Sequence, residues 1–349
     1  MIGSFIFCVH HVFEVSSTKV PYCLIDNGRC NVSLNSSAIV LTTQTTTYTI
    51  TASNPRGTAT ASVTITVIPL NISITSPLNG ETISRPDTMV QGTIINATGN
   101  ETGVTVNGIV AMVYGNQFVA NHVPLGEGEK TIMVSAFDTA GNTATASITV
   151  YAQTTGDYIR IMADAESGVS PFETTLKVGG SFTFKEEPNI TYNGPGEVEF
   201  LDNPEANEYD VRITTPGIYY FTAEVTYDQS NTYTDTIAVV VLDLAQLDAL
   251  LRAKWNNMKA MLLIRDIDGA LAYFSVPSRN EYNEIFRLLS DDLADIVNTM
   301  ADIELVYIKE RVAKYSIEKD EIINGETHRI TYYIHFFKNA LGLWCIDSF

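Results

Sequence analysis

The sequence predicts a multidomain protein in which three all-β sandwiches precede a smaller α+β domain. Two observations support this prediction. A short strand, a polar turn and a longer alternating strand recur three times between residues 51 and 241, and after residue 243 the hydrophobic period changes from that of a strand to that of a helix. A chain of 349 residues is also too long to fold around a single hydrophobic core.

The repeated element is a β-hairpin. Its copies begin at residues 51, 135 and 222, and they read "TASNPRGTATASVTITV", "SAFDTAGNTATASITV" and "TAEVTYDQSNTYTDTIAVVV". Asn, Asp, Gly and Pro favour the turn, and alternating Thr, Val, Ile and Ala bury one face of each strand. The equivalent Ala52, Ala136 and Ala223 lie 84 and 87 residues apart, a spacing typical of immunoglobulin-like sandwiches. We expect the terminal strands of the three sandwiches at 58–67, 143–151 and 232–242.

The three sandwiches resemble known modules. Residues 69–152 resemble a bacterial Ig-like module of the glucodextranase B-domain type through "ITSPLNGETI", "VQGTI" and "VTVNGIVAMVYGNQFVANHVPLGEGEKTIMVSAFDTAGNTA". Residues 153–242 resemble a PKD-type sandwich through "SGVSPFETTLKV" and "TTPGIYYFTAEVTY", although "ITYNGPGEVEF" replaces that family's Trp-Asp-x-Gly-Asp-Gly stretch. Residues 1–68 resemble bacterial Ig-like repeats through "TTTYTITASNPRGTATASVTITV". These resemblances imply accessory modules, often found beside carbohydrate-active enzymes, that are not themselves catalytic.

The last domain, residues 243–349, begins with a predicted helix. The segment "LDLAQLDALLRAKWNNMKAML" places one apolar stripe on the helix: Leu244, Leu247, Leu250, Leu251, Trp255, Met258 and Met261. Asp243 and Gln246 fit a capping box, so the last strand of the third sandwich is expected to run into the helix without a flexible linker. "DIDGALAYFSV" predicts a short helix, Ser278 with Glu281 predicts a further helix start, and Ser290 predicts another.

Strands follow these helices. They are predicted within 303–318, 326–338 and 342–348, with Asn324-Gly325 as a hairpin turn. Helices followed by an antiparallel meander form an α+β pattern. From "LRAKWNNMKAMLLIRDIDGALAYFS" to "GLWCIDSF" the domain resembles the NTF2-like, or cystatin-like, superfamily. The resemblance implies a curved sheet around the helices with a cone-shaped pocket, in a superfamily of hydrolases, isomerases and plain binding domains.

Charge and composition exclude some functions. The net charge is −19, and residues 1–243 hold 9 Lys and Arg against 24 Asp and Glu. An acidic surface repels polyphosphate, so nucleic acid is not expected as a partner. The favoured interpretation of the charge is that it keeps the protein soluble. Tandem Thr-rich, Lys-poor sandwiches favour a bacterial protein that is extracellular or attached to the cell surface.

The N-terminal segment "MIGSFIFCVHHVF" is a poor signal peptide, because no Lys or Arg precedes its apolar run and His10 and His11 interrupt it. It is also too short to span a membrane, and we expect no membrane insertion. Compared with the second sandwich, the first is about a dozen residues short at its start. We therefore expect the first sandwich to be incomplete at its N-terminus.

The cysteines and acidic residues predict no metal site and no cofactor. Among Cys8, Cys23, Cys30 and Cys345, a bridge between Cys23 and Cys30 and a set of free thiols are both compatible with the sequence. No Cys and His spacing indicates zinc. Asp138 and Asn142 provide too few oxygens for calcium, and a turn-stabilising role is favoured.

No catalytic residue is predicted. His335 is either an acid–base group near Tyr307, Tyr315, Tyr333 or Asp268, or a residue on the solvent face of its strand, and the second interpretation is favoured. Several aromatic residues either line a pocket or form the core: Trp255, Tyr273, Phe274, Tyr282, Phe286, Tyr307 and Trp344. Tyr333, His335 and Phe337 are predicted to form a partner surface.

These observations favour a non-enzymatic, secreted or cell-surface protein. Its Ig-like stalk would present a C-terminal domain that contacts another protein or a second copy of the chain. One alternative is that the last domain binds or transforms a small ligand in its cone. Another is carbohydrate binding by the Ig-like modules, for which Tyr114, Phe118 and Tyr151 would have to serve because both tryptophans lie in the last domain.

Overall fold

The computed structural model describes residues 11–15, 23–25, 30–32, 36–40, 45–54, 57–65, 70–203, 205–227, 231–323 and 326–349. The chain divides into two compact units, Met1–Pro69 and Leu70–Phe349. The predicted turns at 54–57 and 228–231 lie partly outside the described residues, and the turn at 324–325 lies wholly outside them. The side chains of Cys8, Cys23 and Cys30 also lie outside, whereas Cys345 is a buried free thiol.

The first unit contains two antiparallel sheets. Its strands are β1 (His11–Val15), β2 (Cys23–Ile25), β3 (Cys30–Val32), β4 (Ser36–Val40), β5 (Thr46–Asn54) and β6 (Gly57–Ile65). β1 pairs with β4, and the other four strands form a sheet in the order β3-β2-β5-β6. The first copy of the repeat is the hairpin of β5 and β6. The expected truncation of this sandwich stays a prediction.

The second module, residues 70–152, is a two-sheet sandwich. Its strands are β7 (Asn71–Ser76), β8 (Thr82–Ile83), β9 (Asp87–Ile95), β10 (Thr102–Val106), β11 (Ile109–Val110), β12 (Met112–Tyr114), β13 (Gln117–Pro124), β14 (Gly128–Asp138) and β15 (Thr143–Ala152). The sheet orders are β11-β10-β14-β15-β8 and β12-β13-β9-β7. Alternating residues of both sheets, such as Val90, Phe118 and Val134, fill one apolar core between them.

The third module, residues 159–242, repeats this plan. Its strands are β16 (Ile159–Ala163), β17 (Ser167–Val169), β18 (Phe172–Gly180), β19 (Asn189–Asn193), β20 (Val198–Leu201), β21 (Glu208–Ile213), β22 (Gly217–Thr226) and β23 (Thr232–Leu242). The sheet orders are β16-β18-β21-β20 and β17-β23-β22-β19, around a separate core. The hydroxyl of Tyr219 donates to the carbonyl of Thr215 at 3.0 Å, a corner typical of Ig-like sandwiches. In both modules the last strand pairs in parallel with a short early strand.

The C-terminal module, residues 243–349, packs helices on one face of an antiparallel meander. Its elements are α1 (Leu244–Leu263), α2 (Ile267–Leu271), α3 (Arg279–Leu288), α4 (Leu293–Thr299), β24 (Glu304–Lys309), β25 (Val312–Ile323), β26 (Glu326–Lys338) and β27 (Trp344–Ser348). The strands follow one another across the sheet. Inward residues of the sheet, including Tyr315, Ile334 and Phe336, share one core with the apolar stripe of α1.

Ser278 flanks the start of α3 as predicted, but its cap hydrogen bond and the start of α4 differ from the sequence prediction. Asp243 caps α1 as expected, since its carboxylate accepts from the backbone N–H of Gln246 at 2.8 Å. The hydroxyl of Ser278, however, makes no cap hydrogen bond and lies 2.9 Å from the hydroxyl of Ser275. The predicted start of α4 at Ser290 is wrong by a few residues, because Asp292 is its N-terminal flanking residue. Tertiary partners and a preceding turn thus override these local signals.

The predicted strand region 303–318 contains two strands rather than one. A turn at Glu310 and Arg311 separates β24 from β25, and Glu310 has a left-handed backbone with φ of 53°. A bulge between Leu305 and Tyr307 shifts the register of the same pair. The alternation of side chains alone did not reveal this turn, because both of its residues are charged like their neighbours on the exposed face.

The second module contacts the C-terminal module through a buried ion pair. Lys254 lies on the buried side of α1, and its ammonium is 2.7 Å from Glu101 Oε2. The other oxygen of Glu101 accepts from the backbone N–H of Trp344 at 2.9 Å. Nearby, a Cβ on Gly103 would overlap the carbonyl oxygen of Leu341, so glycine is what allows the two backbones to approach. A buried lysine beside the apolar stripe of α1 therefore contacts the second module.

The second module also packs against the third. Val119 of β13 joins Ala238 and Val240 of β23 in a small apolar cluster. The side chain of Asn121 donates to the carbonyl of Ala238 at 2.8 Å and accepts from its N–H at 2.9 Å. A bulge in β13 after Ala120 places this asparagine there. Its amide thereby continues the hydrogen bonding of a strand that belongs to the neighbouring module.

Two buried carboxylates hold the same interface together electrostatically. Arg85 pairs with both Asp87 and Asp235, and Arg160 of the third module pairs with Asp87. The imidazole of His122 lies 3.3 Å from the carboxylate of Asp235. Burial raises the pKa of Asp235, but the hydrogen bonds from His122 and Arg85 outweigh burial and leave that pKa below its ordinary value.

Residues 70–349 therefore form one body in which the second module touches both of its neighbours. A stalk of sandwiches placed in series does not describe this part of the chain. The direct step from β23 through Asp243 into α1 adds a further constraint, because a single residue joins the strand to the helix.

Removing the carboxylate of Asp235 should destabilise this body. Asp235→Ala leaves the half-buried Arg85 without one of its two anions, and breaking a buried pair typically costs about 3 kcal/mol of the free energy of unfolding. Urea unfolding of the full chain measures the effect. Asp320→Ala is the matched control, since Asp320 pairs with Arg329 at the solvent-exposed surface, and it should leave the midpoint unchanged. Equal midpoints for the two variants would contradict the role given to Asp235.

Glu166 is another acid at this interface, and its contribution to stability should change with pH in the opposite direction to that of Asp235. Burial raises the pKa of Glu166 above its ordinary 4.5, against the opposing effects of Asn121 and His122. The stability linked to this group is fully present below pH 4.5 and is lost as pH rises through the folded-state pKa. Glu166→Gln should therefore unfold at a higher temperature than the wild type at pH 7, and this advantage should disappear on acidification.

Glu127→Gln is the control for the direction in which stability changes with pH. The backbone N–H and hydroxyl of Thr154 donate to Glu127 and lower its pKa, so its contribution is present at neutral pH and lost in acid. This variant should be less stable than the wild type at pH 7 and equal to it in acid. Thermal unfolding across the pH range compares all three proteins, and parallel curves for the two variants would refute the assignment for Glu166.

Candidate functional site

The interior of the C-terminal module is filled with aromatic side chains. The rings of Phe274 and Tyr282 lie 4.5 Å apart, and Phe286 packs against both. Phe349 stacks on Tyr282 at 5.0 Å and meets the ring of Trp255 edge-on. The structure thus brings together four of the residues considered for a pocket, and it uses most of their surface as core.

The other three candidates lie elsewhere in the module. Trp344 is buried on β27 towards the second module, and Tyr273 is half-buried in the connection after α2. Tyr307 is 46% exposed on β24, on the outside of the sheet. These three residues therefore do not line one common interior.

A pocket of about 260 Å³ lies beside this core. Its wall is largely apolar, and Lys319, Glu321 and Tyr332 stand at its rim. The hydroxyl of Tyr332 donates to Glu321 Oε1 at 2.9 Å, so the rim is organised. Trp255 lines the pocket from below, and its indole N–H is buried without a hydrogen-bond acceptor in the described part of the chain. A buried donor without an acceptor is unusual, because it loses its bond to water and gains none.

The opposite, outer face of the sheet carries exposed aromatic residues. Strand register places Tyr307 beside Lys314 and Lys314 beside His335, while Val312 pairs with Phe337 one row away. Directly paired residues share a sheet face. We call the following set the outer aromatic face: Tyr307, Lys309, Lys314, Tyr333, His335 and Phe337. Tyr333 is 47% exposed and Phe337 39% exposed, so large apolar surfaces meet solvent here.

Cations lie against two of these rings. The ammonium of Lys314 is 3.6 Å from the ring centroid of Tyr333, and the guanidinium carbon of Arg311 is 5.3 Å from that of Phe337. Both distances fit cation–π contacts. The sequence prediction named Tyr333, His335 and Phe337 but missed these cations. The strand alternation at 312–316 could have revealed Lys314, whereas the position of Arg311 depends on the turn that was not predicted.

The residues weighed as acid–base partners of His335 are spread over both faces of the sheet. His335 lies on the outer face, where its Nδ1 is 3.2 Å from the hydroxyl of Ser348. Tyr315 points inward, and its hydroxyl donates to Asp248 at 2.8 Å. Burial and this hydrogen bond raise the pKa of Tyr315 well above its usual range. Asp268 lies exposed on α2 near Arg287.

The described residues contain no group of three or more His, Cys, Asp or Glu side chains that could hold a metal ion. At the turn of the second module, Asp138 Oδ1 accepts from the backbone N–H groups of Ala140 and Asn142, and Oδ2 accepts from the side chain of Asn142. Both oxygens are therefore used in fixing the turn. Within the same described part of the chain, no helix is long and apolar enough to cross a membrane.

The residues considered for carbohydrate binding on the second module do not form one surface. Phe118 is a core residue with 1% exposure, whereas Tyr151 is 47% exposed on the last strand of the module. Tyr114 is half-buried at the contact with the third module. The expectation that Phe118 could act as an exposed sugar platform is wrong, because its ring fills the space above Gly92.

Comparison with known proteins gives one family match, which covers the second module, and several similar solved structures. A family model described as glucodextranase, domain B matches residues 70–154. Two three-domain fragments of titin are similar to the chain, at 11% and 13% identity, with 67% of this chain and 92% and 93% of theirs covered and TM-scores of 0.26 and 0.27. A Bacteroides ovatus protein, SGBP-B of a mixed-linkage glucan utilization locus, was solved with a mixed-linkage heptasaccharide. It is 16% identical over 66% of this chain and 64% of its own, with a TM-score of 0.17.

No curated protein matches the chain. The family match and the two-sheet architecture agree that the chain contains tandem Ig-like modules, followed by a smaller segment that includes all the described helices.

Proposed function

We propose that the chain is a non-enzymatic, modular binding protein of the extracellular space or cell surface. Its C-terminal module contacts a protein partner that presents an acidic surface. The observation that carries this proposal is the outer aromatic face, where three exposed rings lie among Lys309, Arg311 and Lys314 on a rigid sheet.

The residue types of this face suit protein recognition. Tyr, Phe and Arg are enriched at the centres of protein interfaces, and rings on a sheet lose little entropy when they are covered. Lys314 and Arg311 rest on rings, which keeps their stems in place. A carboxylate of a partner can then pair with a cation that is already positioned, so less side-chain entropy is lost on binding.

Charge narrows the class of partner. The cations on and beside the outer aromatic face would attract an acidic surface and repel a basic one. The Ig-like part of this same chain is acidic, with 24 Asp and Glu against 9 Lys and Arg in residues 1–243. A second copy of the chain is therefore one specific source of such a surface, and the experiment below separates it from a different protein.

The finer family assignments belong to the same proposal. Four helices followed by a meander support an NTF2-like C-terminal module, and two four-stranded sheets with a tyrosine corner support a PKD-like third module. In this proposal the second and third modules act as a base that fixes the orientation of the C-terminal module. A fixed orientation suits a surface that has to meet a partner in one register.

The test uses fluorescence polarisation with a labelled random copolymer of Glu and Tyr and a copolymer of Lys and Tyr. The wild-type chain should bind the acidic copolymer, and binding should weaken as salt is added. Replacing Tyr333 and Phe337 together by Ser should weaken binding at least tenfold, as should Lys314→Glu alone. The double variant removes two of the exposed rings, and Lys314→Glu removes a cation.

The matched control replaces Tyr151 and Tyr192 by Ser, because these residues are 47% and 39% exposed on the second and third modules. This control should bind like the wild type. Equal loss in both double variants would refute the proposal, and so would preference for the basic copolymer. If circular dichroism shows that the Tyr333 and Phe337 variant is unfolded, the binding of Lys314→Glu decides whether the proposal holds. If sedimentation shows a dimer that these same substitutions weaken, the partner is a second copy of the chain and not a different protein.

A second candidate function rests on the buried indole of Trp255. The pocket of about 260 Å³ would accept a small, mainly apolar ligand whose oxygen receives a hydrogen bond from the indole N–H. Cyclohexanone and methylcyclohexane are suitable probes, since they have similar size and only the ketone has an acceptor. In ¹⁵N spectra of the Trp344→Phe variant, the ketone should shift the remaining indole resonance downfield and the hydrocarbon should not. Identical spectra with both probes would exclude this function.

A further inference from the structure

A cleft of about 590 Å³ lies between the second module and the C-terminal module. One wall is formed by the ends of β9, β10 and β12, and the other by the first turns of α1 and the ends of β26 and β27. The volume falls in the range of small-molecule sites, which occur preferentially between domains. This cleft is separate from the pocket beside Trp255 and from the outer aromatic face, and it shares no residue with either.

The cleft contains polar groups with no partner in the described part of the protein. Asn100, Asn116 and Gln246 line it, and their side-chain amides make no hydrogen bond to other described residues. The hydroxyl of Tyr114 is likewise free. Each amide offers both donors and an acceptor, which is the pairing that a ligand hydroxyl requires. Asn116 and Gln246 are exposed, so their amides are accessible to a ligand, and four groups of this kind around one space suit a ligand with several hydroxyls.

Lys338 is the one cation that lines the cleft among the residues described. Its ammonium lies 5.9 Å from the ring centroid of Trp344, and no carboxylate of the described residues lies within ion-pair distance of it. Glu101 also lines the cleft, but Lys254 and the backbone N–H of Trp344 occupy its two oxygens. Burial lowers the pKa of Lys338, and the attraction of Glu101 only partly opposes this effect. An anion placed at Lys338 would relieve the cost of a poorly hydrated ammonium group.

The remaining lining limits where a ligand anion can lie. Asp243 lines the cleft as well, and its carboxylate is held by the backbone N–H of Gln246 at the start of α1. A ligand carboxylate would be repelled from that end and drawn to the end that holds Lys338. Between the two ends, Leu247, Leu250 and Trp344 provide an apolar surface suited to the C–H face of a sugar ring.

We propose that this cleft binds a short acidic oligosaccharide, of the class that contains a uronic acid. The sugar carboxylate pairs with Lys338, its hydroxyls bond to Asn100, Asn116, Gln246 and Tyr114, and its ring lies on the apolar surface. The two modules together form the site, so neither module alone presents all of these groups. This inference is independent of the protein partner proposed for the outer aromatic face.

Isothermal titration of the full chain with digalacturonate and with its neutral counterpart, a disaccharide of galactose, tests the proposal. The acidic disaccharide should bind at least tenfold more tightly than the neutral one. Lys338→Met should abolish this difference by weakening only the acidic ligand. Lys314→Met, which removes a lysine of the outer aromatic face, should preserve it.

Gln246→Glu provides a second test that does not depend on how Lys338 affects folding. Glutamate at this position of α1 favours the helix start, so the variant is expected to fold. The added charge should weaken digalacturonate at least tenfold and leave the neutral disaccharide within twofold. Ala245→Glu is the control, since it adds the same charge one residue away, outside the lining of the cleft.

Three results would overturn the proposal. The first is binding of the neutral disaccharide as tightly as the acidic one. The second is a tenfold preference that survives both Lys338→Met and Gln246→Glu. The third is no measurable binding of either disaccharide to the wild-type chain at millimolar concentration.

Discussion

The buried carboxylate of Asp235 is the constraint on which the arrangement of residues 70–349 depends. It lies on β23, the last strand of the third module, and receives Arg85 and His122 from the second module. It also accepts the backbone N–H of Ile161 at 2.8 Å, which ties the two sheets of its own module. A carboxylate that is removed from water needs all of these donors. The loss of any one of them would leave part of the free-energy cost of burying the charge uncompensated. The second and third modules are thereby held in one relative position.

The same strand carries that constraint into the C-terminal module. β23 ends at Leu242 and α1 begins at Leu244, so the direction of the strand sets the direction of the helix. On the far side of α1, Lys254 returns to Glu101 of the second module. The three modules therefore close a ring of contacts in which each one touches the other two. A ring of this kind encloses space between the modules, and the cleft that contains Lys338 is a direct consequence of it.

Within the C-terminal module, burial separates the two sets of aromatic residues. Phe274, Tyr282 and Phe349 pack on the inner face of the sheet, beside the small pocket that Trp255 lines. Tyr333 and Phe337 lie on the outer face of the sheet, where both rings are partly exposed to solvent. The first set stabilises the fold by removing apolar area from water, and the second leaves apolar area available to a partner.

Local signals in the sequence were sufficient for the modules themselves. The hairpin repeat and its spacing indicated the sandwiches, since strand alternation and turn residues depend on near neighbours. Asp243 predicted the start of α1, because a cap and its N–H partner lie three residues apart. The face that bears Tyr333, His335 and Phe337 also followed from alternation along one strand. In each case the interaction that decides the structure lies within a few residues of the chain.

Tertiary structure decided what the sequence left open. Arg85 and Asp235 lie 150 residues apart, so no periodic pattern relates them, and nothing local distinguishes Lys254 from Lys259 of the same helix, which faces the exposed Asp302 instead. Ser278 has the residue type of a cap, yet its hydroxyl bonds to Ser275 because Asp347 of β27 organises both hydroxyls. The cleft has the same origin, since its free amides and Lys338 come from separate modules. The sequence determined which modules form, and the pairing of buried charges between distant segments determined how they pack and what lies between them.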